Sequence, residues 1–195
     1  MADLAFDEAS HTYRLEGRVV PSVTQVLDPL YDFSRVPPEV LERKRQLGTA
    51  VHKAVELDIA GTLDPDSIAP ELDGYLRAWA QFKASGFHPQ ASELRLASKS
   101  GYAGTLDLIC TQGPDVWLID IKTAAQHSPV MALQTAAYAQ LYAEHDPARA
   151  TVKRGAVLLA PDGTFNLIPH TDRSDLRVFL SLLTIHQWRK THGVQ

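Results

Sequence analysis

Two runs of strand-forming residues stand almost back to back: Gly104-Thr105-Leu106-Asp107-Leu108-Ile109 and Val116-Trp117-Leu118-Ile119-Asp120-Ile121-Lys122-Thr123. Their link, Gln112-Gly113-Pro114-Asp115, has the composition of a turn, so the pair reads as a β-hairpin. The second run is apolar on both faces except at Asp120 and Lys122. Side chains two apart on a strand point the same way. Asp120 and Lys122 therefore share one face, while Ile119 and Ile121 pack on the other. Asp107 is a lone carboxylate inside an apolar strand. Charges seldom sit in buried strands unless paired or bound to metal. Two carboxylates and one ammonium thus converge at one end of the hairpin.

This set suits phosphodiester hydrolysis. Two carboxylates hold Mg²⁺, a hard cation that prefers oxygen ligands and keeps several waters. The metal polarises a phosphoryl oxygen and lowers the pKa of a bound water. A lysine orients that water or stabilises charge on phosphorus. The structural alternative is an Asp120–Lys122 ion pair beside an ordinary strand aspartate.

Asp107, Asp120 thirteen residues on, and Lys122 in an Asp-Ile-Lys-Thr context resemble the PD-(D/E)xK nuclease superfamily, nearest its RecB-like and phage-type exonuclease branch. The resemblance extends from about Tyr13 to Tyr142. It implies an α/β fold, a mixed central β-sheet flanked by helices with a restriction-endonuclease-like αβββαβ core. It also implies a Mg²⁺- or Mn²⁺-dependent deoxyribonuclease, an exonuclease acting on DNA ends in recombination, repair or phage DNA metabolism. Asp107, Asp120 and Lys122 would be catalytic, and His52, Asp107, Asp120 and Ile121 would form the metal site.

Further segments carry the resemblance. Leu47-Gly48-Thr49-Ala50-Val51-His52 looks like the Gly-x-x-x-His helix of the RecB-like nucleases, whose histidine completes the metal site; the plain alternative is a capping or core histidine. Gln134-Thr135-Ala136-Ala137-Tyr138 is similar to their Q-x-x-x-Y helix, which supports the active site and the nucleic-acid backbone. Without the family these two read as surface polar residues. Glu93 resembles an acidic residue preceding the G-x-x-D strand; its alternative is a strand salt bridge with Arg95 or a basic neighbour. A hairpin followed by Pro21-Ser22-Val23-Thr24 is similar to the entry segment of phage-type and mitochondrial members, which puts Ser22 and Thr24 near the DNA path. Helix-start amides and hydroxyls suit phosphates.

The remainder of the chain fits one domain spanning 1–195: an N-terminal hairpin at 11–21, a helical segment at 22–86, a catalytic core at 90–170 and a C-terminal helix at 172–191. Ser22 with Gln25 fits a capping box opening a short helix that ends near Pro29. Pro38 and Gly61 bracket a long helix with Val40, Leu41, Leu47, Val51, Val55 and Ile59 on its apolar face. A second amphipathic helix spans Glu71 to Ser85. Its Tyr75 and Trp79 are either core or base-stacking aromatics. Ala91 to Ala97 reads as a strand with Glu93, Arg95 and Ala97 on one face. Lys99 follows in a turn, within reach of a phosphate. Ser128 and Pro129 open a helix running to about Glu144, with Asp146-Pro147 beyond it. Gly155 to Ala160 is a buried strand, Thr164 to Ile168 another. Arg173 to Lys190 is a closing helix packed through Leu176, Phe179, Leu180, Leu183 and Trp188.

Composition sets outer bounds. No apolar run reaches transmembrane length and no secretory signal pattern opens the chain, so the expectation is a cytoplasmic protein without membrane contact. The lone cysteine, Cys110, rules out an intrachain disulfide framework and a four-cysteine iron–sulfur cluster. A net charge of −4 argues against a strongly basic nucleic-acid binder but not against a local groove. The expected partner is DNA, at single- or double-stranded ends. A helicase or annealing protein that supplies those ends has no motif of its own here. Two other readings stand beside the exonuclease: an endonuclease of the same fold, and a nucleic-acid-binding module without chemistry.

Overall fold

A computed structural model describes residues 3–146 and 151–194. Three short strands come first: β1 (Leu4–Asp7), β2 (Thr12–Leu15) and β3 (Arg18–Val20), an antiparallel sheet in that order. The sequence reading opens the hairpin at His11; β1 adds a third strand in front of it. Helix α1 (Val23–Leu27) starts on the expected capping box. Ser22 Oγ accepts from the Gln25 amide at 3.0 Å, and Gln25 Oε1 accepts from the Ser22 amide at 2.9 Å.

Helix α2 (Pro38–Ile59) begins with proline in its first turn and is followed by Gly61 in the left-handed region. Only its second half is anchored. Val51, Ala54 and Val55 are buried, whereas Val40, expected on the apolar face, is exposed. Helix α3 (Asp73–Ala84) buries Tyr75, Trp79 and Phe82, so the core alternative holds for Tyr75 and Trp79. The Trp79 Nε1 donates to Asp58 on α2 at 2.6 Å, tying the two helices together.

The central sheet has five strands in the order β4 (His88–Ser98), β5 (Tyr102–Gln112), β6 (Asp115–Lys122), β7 (Lys153–Leu159) and β8 (Phe165–Pro169). All neighbours are antiparallel except β6 and β7. A parallel pair needs a crossover, and α4 (Val130–His145) supplies it. Pro147, expected beyond α4, lies outside the described residues. Helix α5 (Asp175–His192) closes the chain.

The sheet is covered on both faces, which makes this a mixed α/β fold with flanking helices. On one side Leu106, Ile109 and Leu118 pack with α1, α4 and α5 through Val26, Tyr138, Leu141 and Phe179. On the other, Leu108, Cys110, Ile119, Ile121 and Val157 pack with α2 and α3. Ile119 and Ile121 thus share one core and face away from Asp120 and Lys122, as strand alternation requires. Trp188 departs from expectation: it is 53% exposed and stacks on His192 at 4.6 Å instead of packing inward. Among the described residues no helix is long and apolar enough to cross a membrane.

Candidate active site

The hairpin of β5 and β6 opens before it ends. Its register runs from Gln112 opposite Asp115 to Leu108 opposite Ile119 and stops there. Past that point the backbone amide of Ile121 donates to Asp107 Oδ2 at 2.8 Å. The carboxylate fills the place of the carbonyl that a continued ladder would offer.

The neighbouring strand is distorted at the same level. Ser92 pairs with Leu108 and Leu94 with Leu106, so Glu93 stands opposite Asp107. Glu93 has a φ of +51°, in the left-handed region that non-glycine residues seldom adopt. The alternation breaks in both strands here. Ala91 and Leu94, three apart, pack into the same core, and so do Leu106 and Ile109. Beyond the break, Leu94 and Leu96 pack into that core as expected, which leaves Glu93 and Arg95 off it. Arg95 pairs with Glu8 at 3.1 Å, and Glu93 turns toward α2.

Helix α2 presents His52 to this opening. Its Nε2 lies 2.9 Å from the carbonyl of Ile121, and its Nδ1 lies 3.8 Å from Asp107 Oδ1 and 3.9 Å from Glu93 Oε1. Donation from Nε2–H to that carbonyl leaves Nδ1 as the nitrogen aimed between the two carboxylates. One ligand atom from each of His52, Glu93 and Asp107 lies within 4.8 Å of the others. Burial disfavours a charge on the ring, but Asp107 and Glu93 outweigh it and hold the imidazole up at about 9. Ile121 thus serves the cluster through both backbone groups: its amide fixes Asp107 and its carbonyl fixes His52.

Asp120 and Lys122 stand apart from that trio. Lys122 Nζ is 2.7 Å from Asp120 Oδ2, a close ion pair whose angles are not those of a hydrogen bond. Asp120 is wholly buried, and neither of its oxygens has a hydrogen-bond partner among the described residues. Burial raises its carboxyl to about 6 against the opposing pull of Lys122. Burial pulls on Lys122 too, yet Asp120 and Asp107 keep its ammonium above the ordinary lysine value.

Helix α4 closes the other wall. Gln134 Nε2 donates to the Tyr138 hydroxyl at 3.2 Å, and both side chains are buried, against the alternative of surface polar residues. Burial drives the Tyr138 hydroxyl well above its usual value, so it stays protonated. Gly104 makes room for it: a Cβ there would lie 2.7 Å from Tyr138 Cε1. Gly48 plays no such part, because a Cβ there would meet only Thr123 Oγ1 at 3.6 Å. Sequence reasoning singled out Gly48 and passed over Gly104, since a packing constraint between β5 and α4 has no local signature.

A cleft of about 420 Å³ collects Ser22, Thr24, His52, Glu93, Asp107, Gln134 and Tyr138. Asp120 and Lys122 do not line it. Ser22 is buried and its hydroxyl is engaged in the cap and with Thr24 Oγ1 at 2.9 Å, whereas Thr24 is exposed at the rim. Two rim residues were not read from the sequence as site residues: Tyr13 and Thr105, whose hydroxyls are 2.6 Å apart and join the small sheet to the cleft. Glu56, paired with Lys53 at 2.7 Å, also lines the cleft.

The donor set fits a divalent cation. It offers one imidazole nitrogen and two carboxylates, with the carboxylate of Asp120, ion-paired to Lys122, buried nearby.

No protein-family model matches the chain, and no curated protein matches it in sequence. Solved structures do. A protein from Eubacterium rectale named "Putative exonuclease" matches with a TM-score of 0.49 and 10% identity, over 76% of this chain and 69% of that one. The protein SSO0001 matches with a TM-score of 0.35 and 16% identity, over 71% of this chain and 70% of that one. Neither likeness bears on the chemistry argued from the residues themselves.

Proposed function

We propose that the chain is a divalent-metal-dependent DNA nuclease, an exonuclease acting on DNA ends. The observation that carries the reading is the meeting of His52, Glu93 and Asp107 at the fork of β5 and β6, with an ammonium paired to a buried carboxylate beside it. An ordinary structural site needs no three-donor cluster next to a fully buried carboxylate paired with an ammonium.

His52, Glu93 and Asp107 would hold the cation, with Asp120 as a further ligand. When bound, the ion supplies charge neutralisation at the phosphoryl group and a more acidic water. Asp120 keeps Lys122 charged and in place. Lys122 donates to the attacking water or to the phosphoryl oxygens as charge develops. Gln134 and Tyr138 offer an amide and a protonated hydroxyl to a phosphate at the cleft wall. Ile121 acts on this reaction through its backbone, by orienting two ligands.

Purified protein incubated with end-labelled single- and double-stranded linear DNA, beside closed circles, tests the reading. Mg²⁺ or Mn²⁺ should support loss of linear DNA, and chelator, Lys122→Ala and Asp107→Asn should each abolish it. Cleavage of circles would replace the exonuclease with an endonuclease. DNA binding without cleavage under every metal would leave a binding module and sink the catalytic reading.

A further inference from the structure

The first half of α2 and the segment before it have no core to pack on. From Ser34 to Gln46 only Val36 and Leu41 are even half-buried. In a chain of net charge −4, residues 35–47 carry Arg35, Arg43, Lys44 and Arg45 against Glu39 and Glu42. Among the described residues, Arg35, Arg43 and Lys44 make no ion pair, and Arg45 makes only a 3.7 Å contact with Glu42 at the surface. Unpaired basic residues on an exposed helix suit a polyanion.

Helical geometry divides these charges. Arg45 lies seven residues before His52, two turns away on the same face, at about 10 Å along the axis. Lys44 is two turns and a little more away, flanking Arg45 on the side nearer the core. Arg43 projects from the opposite face. A phosphate reaching Arg45 is therefore not the one being cleaved but one further along the same strand.

The segment leading into α2 starts beside the catalytic ammonium. The Tyr31 hydroxyl senses the charges of both Lys122 and Asp120. Its ring stacks on Phe33 at 5.6 Å, with the planes only 10° apart, and Phe33 is 46% exposed. A stacked pair with one ring face open to solvent is a platform for a third aromatic ring. A base reaches such a face only if it is not stacked inside a duplex.

We propose that residues 31–45 form a single-strand clamp: an unpaired base stacks on Phe33, while Lys44 and Arg45 take phosphates beyond the scissile one. The proposal rests on the nucleic-acid reading of the site and deepens it, because it makes the substrate a single-stranded or frayed end.

Binding of the full chain to a fluorescent single-stranded oligonucleotide and to a blunt duplex of equal length is measured by anisotropy. Chelator keeps cleavage out, and salt is varied. The single strand should bind tighter. Phe33→Ala should weaken single-strand binding roughly tenfold and leave the duplex unchanged. Lys44→Ala with Arg45→Ala should weaken single-strand binding and lower the slope of log affinity against log salt by about 1.4. Arg43→Ala, which removes one charge from the opposite face, should do much less than Arg45→Ala alone, which removes one charge from the His52 face. If the protein binds single strands but Phe33→Ala weakens both substrates equally or neither, the clamp is wrong and the nuclease reading stands. Equal loss in Arg43→Ala and Arg45→Ala would reduce the arm to diffuse charge and overturn the clamp. Binding to neither DNA would overturn the clamp, while the cleavage assay with Mg²⁺ or Mn²⁺ decides the nuclease reading separately.

Discussion

At Glu93 the backbone conformation and the carboxylate are in conflict. A left-handed φ costs a non-glycine residue on the order of 1–2 kcal/mol, yet it aims this side chain at His52 and Asp107. Glu93→Gly should therefore be more stable than Glu93→Ala by about 1 kcal/mol in chemical denaturation, while both lose metal binding. Equal stabilities would mean that the conformation carries no strain. Glu93→Gln keeps the shape and removes the charge, so its thermal midpoint without metal should match the parent's while its metal affinity falls. Sequence reasoning placed Glu93 on the right strand but could not see the broken alternation, because a local helical twist at one strand residue leaves no mark in the hydrophobic pattern. Asp107 and Asp120 were legible for the opposite reason: a carboxylate in an apolar strand is conspicuous in one dimension. That Asp107 joins the imidazole while Asp120 pairs with Lys122 depends on where two strands part, a feature of three dimensions.

Among the elements, β5 and α4 depend on one another through a single missing side chain. A methyl at Gly104 would press on Tyr138 at 2.7 Å and on Val23 at 3.2 Å. Gly104→Ala should cost about 1–3 kcal/mol by overpacking, seen as a lower denaturation midpoint, and should reduce cleavage by displacing the Gln134–Tyr138 pair. Gly48→Ala, by contrast, meets ordinary contact and should be neutral or slightly stabilising, since alanine favours helix by roughly 1 kcal/mol. Element boundaries were largely readable. The capping box at Ser22, the proline at the start of α2 and the turn at Gly113 each have a local chemical cause. The three-stranded front sheet was only partly readable, because Leu4–Asp7 is short and finds its partner through the register with β2. The exposure of Trp188 and of the first half of α2 was not readable either. Periodicity marks an apolar face without saying whether anything covers it.

For the whole molecule, two solution properties follow. His52, Glu93 and Asp107 crowd two carboxylates at the sheet fork, so a cation that binds them stabilises only the folded chain. Mn²⁺ at a hundred times its dissociation constant should add about 2.7 kcal/mol, or several degrees in thermal midpoint, and Asp107→Asn should abolish the gain. An unchanged midpoint in Mn²⁺ would count against the metal site. The second property is acid sensitivity away from the cleft. His170 is buried; its Nδ1 lies 2.8 Å from Thr135 Oγ1, and its Nε2 lies 3.3 Å from His127. Burial, with His127 and Arg154 adding to it and Asp120 opposing, lowers its pKa from 6.5 to about 4. The unfolded chain takes up this proton first. The stabilisation is therefore complete above pH 6.5 and is lost as pH falls toward 4, by up to about 3 kcal/mol. Asp120, raised to about 6, shifts stability the opposite way in this window, so the loss should be read as the pH-dependent difference in denaturant midpoint between the parent and His170→Gln.

Ile121 binds Asp107 through its main-chain amide and His52 through its main-chain carbonyl. Its side chain is packed in the core, so a scan by substitution would report lost packing and say nothing of these two main-chain bonds. Its amide proton does speak for one of them. Donated to a carboxylate, that proton is a built-in spectroscopic reporter, and its resonance should move when charge at the fork is neutralised. In an isotope-labelled sample, the signal of one main-chain amide would record occupancy of the site before any substrate is turned over.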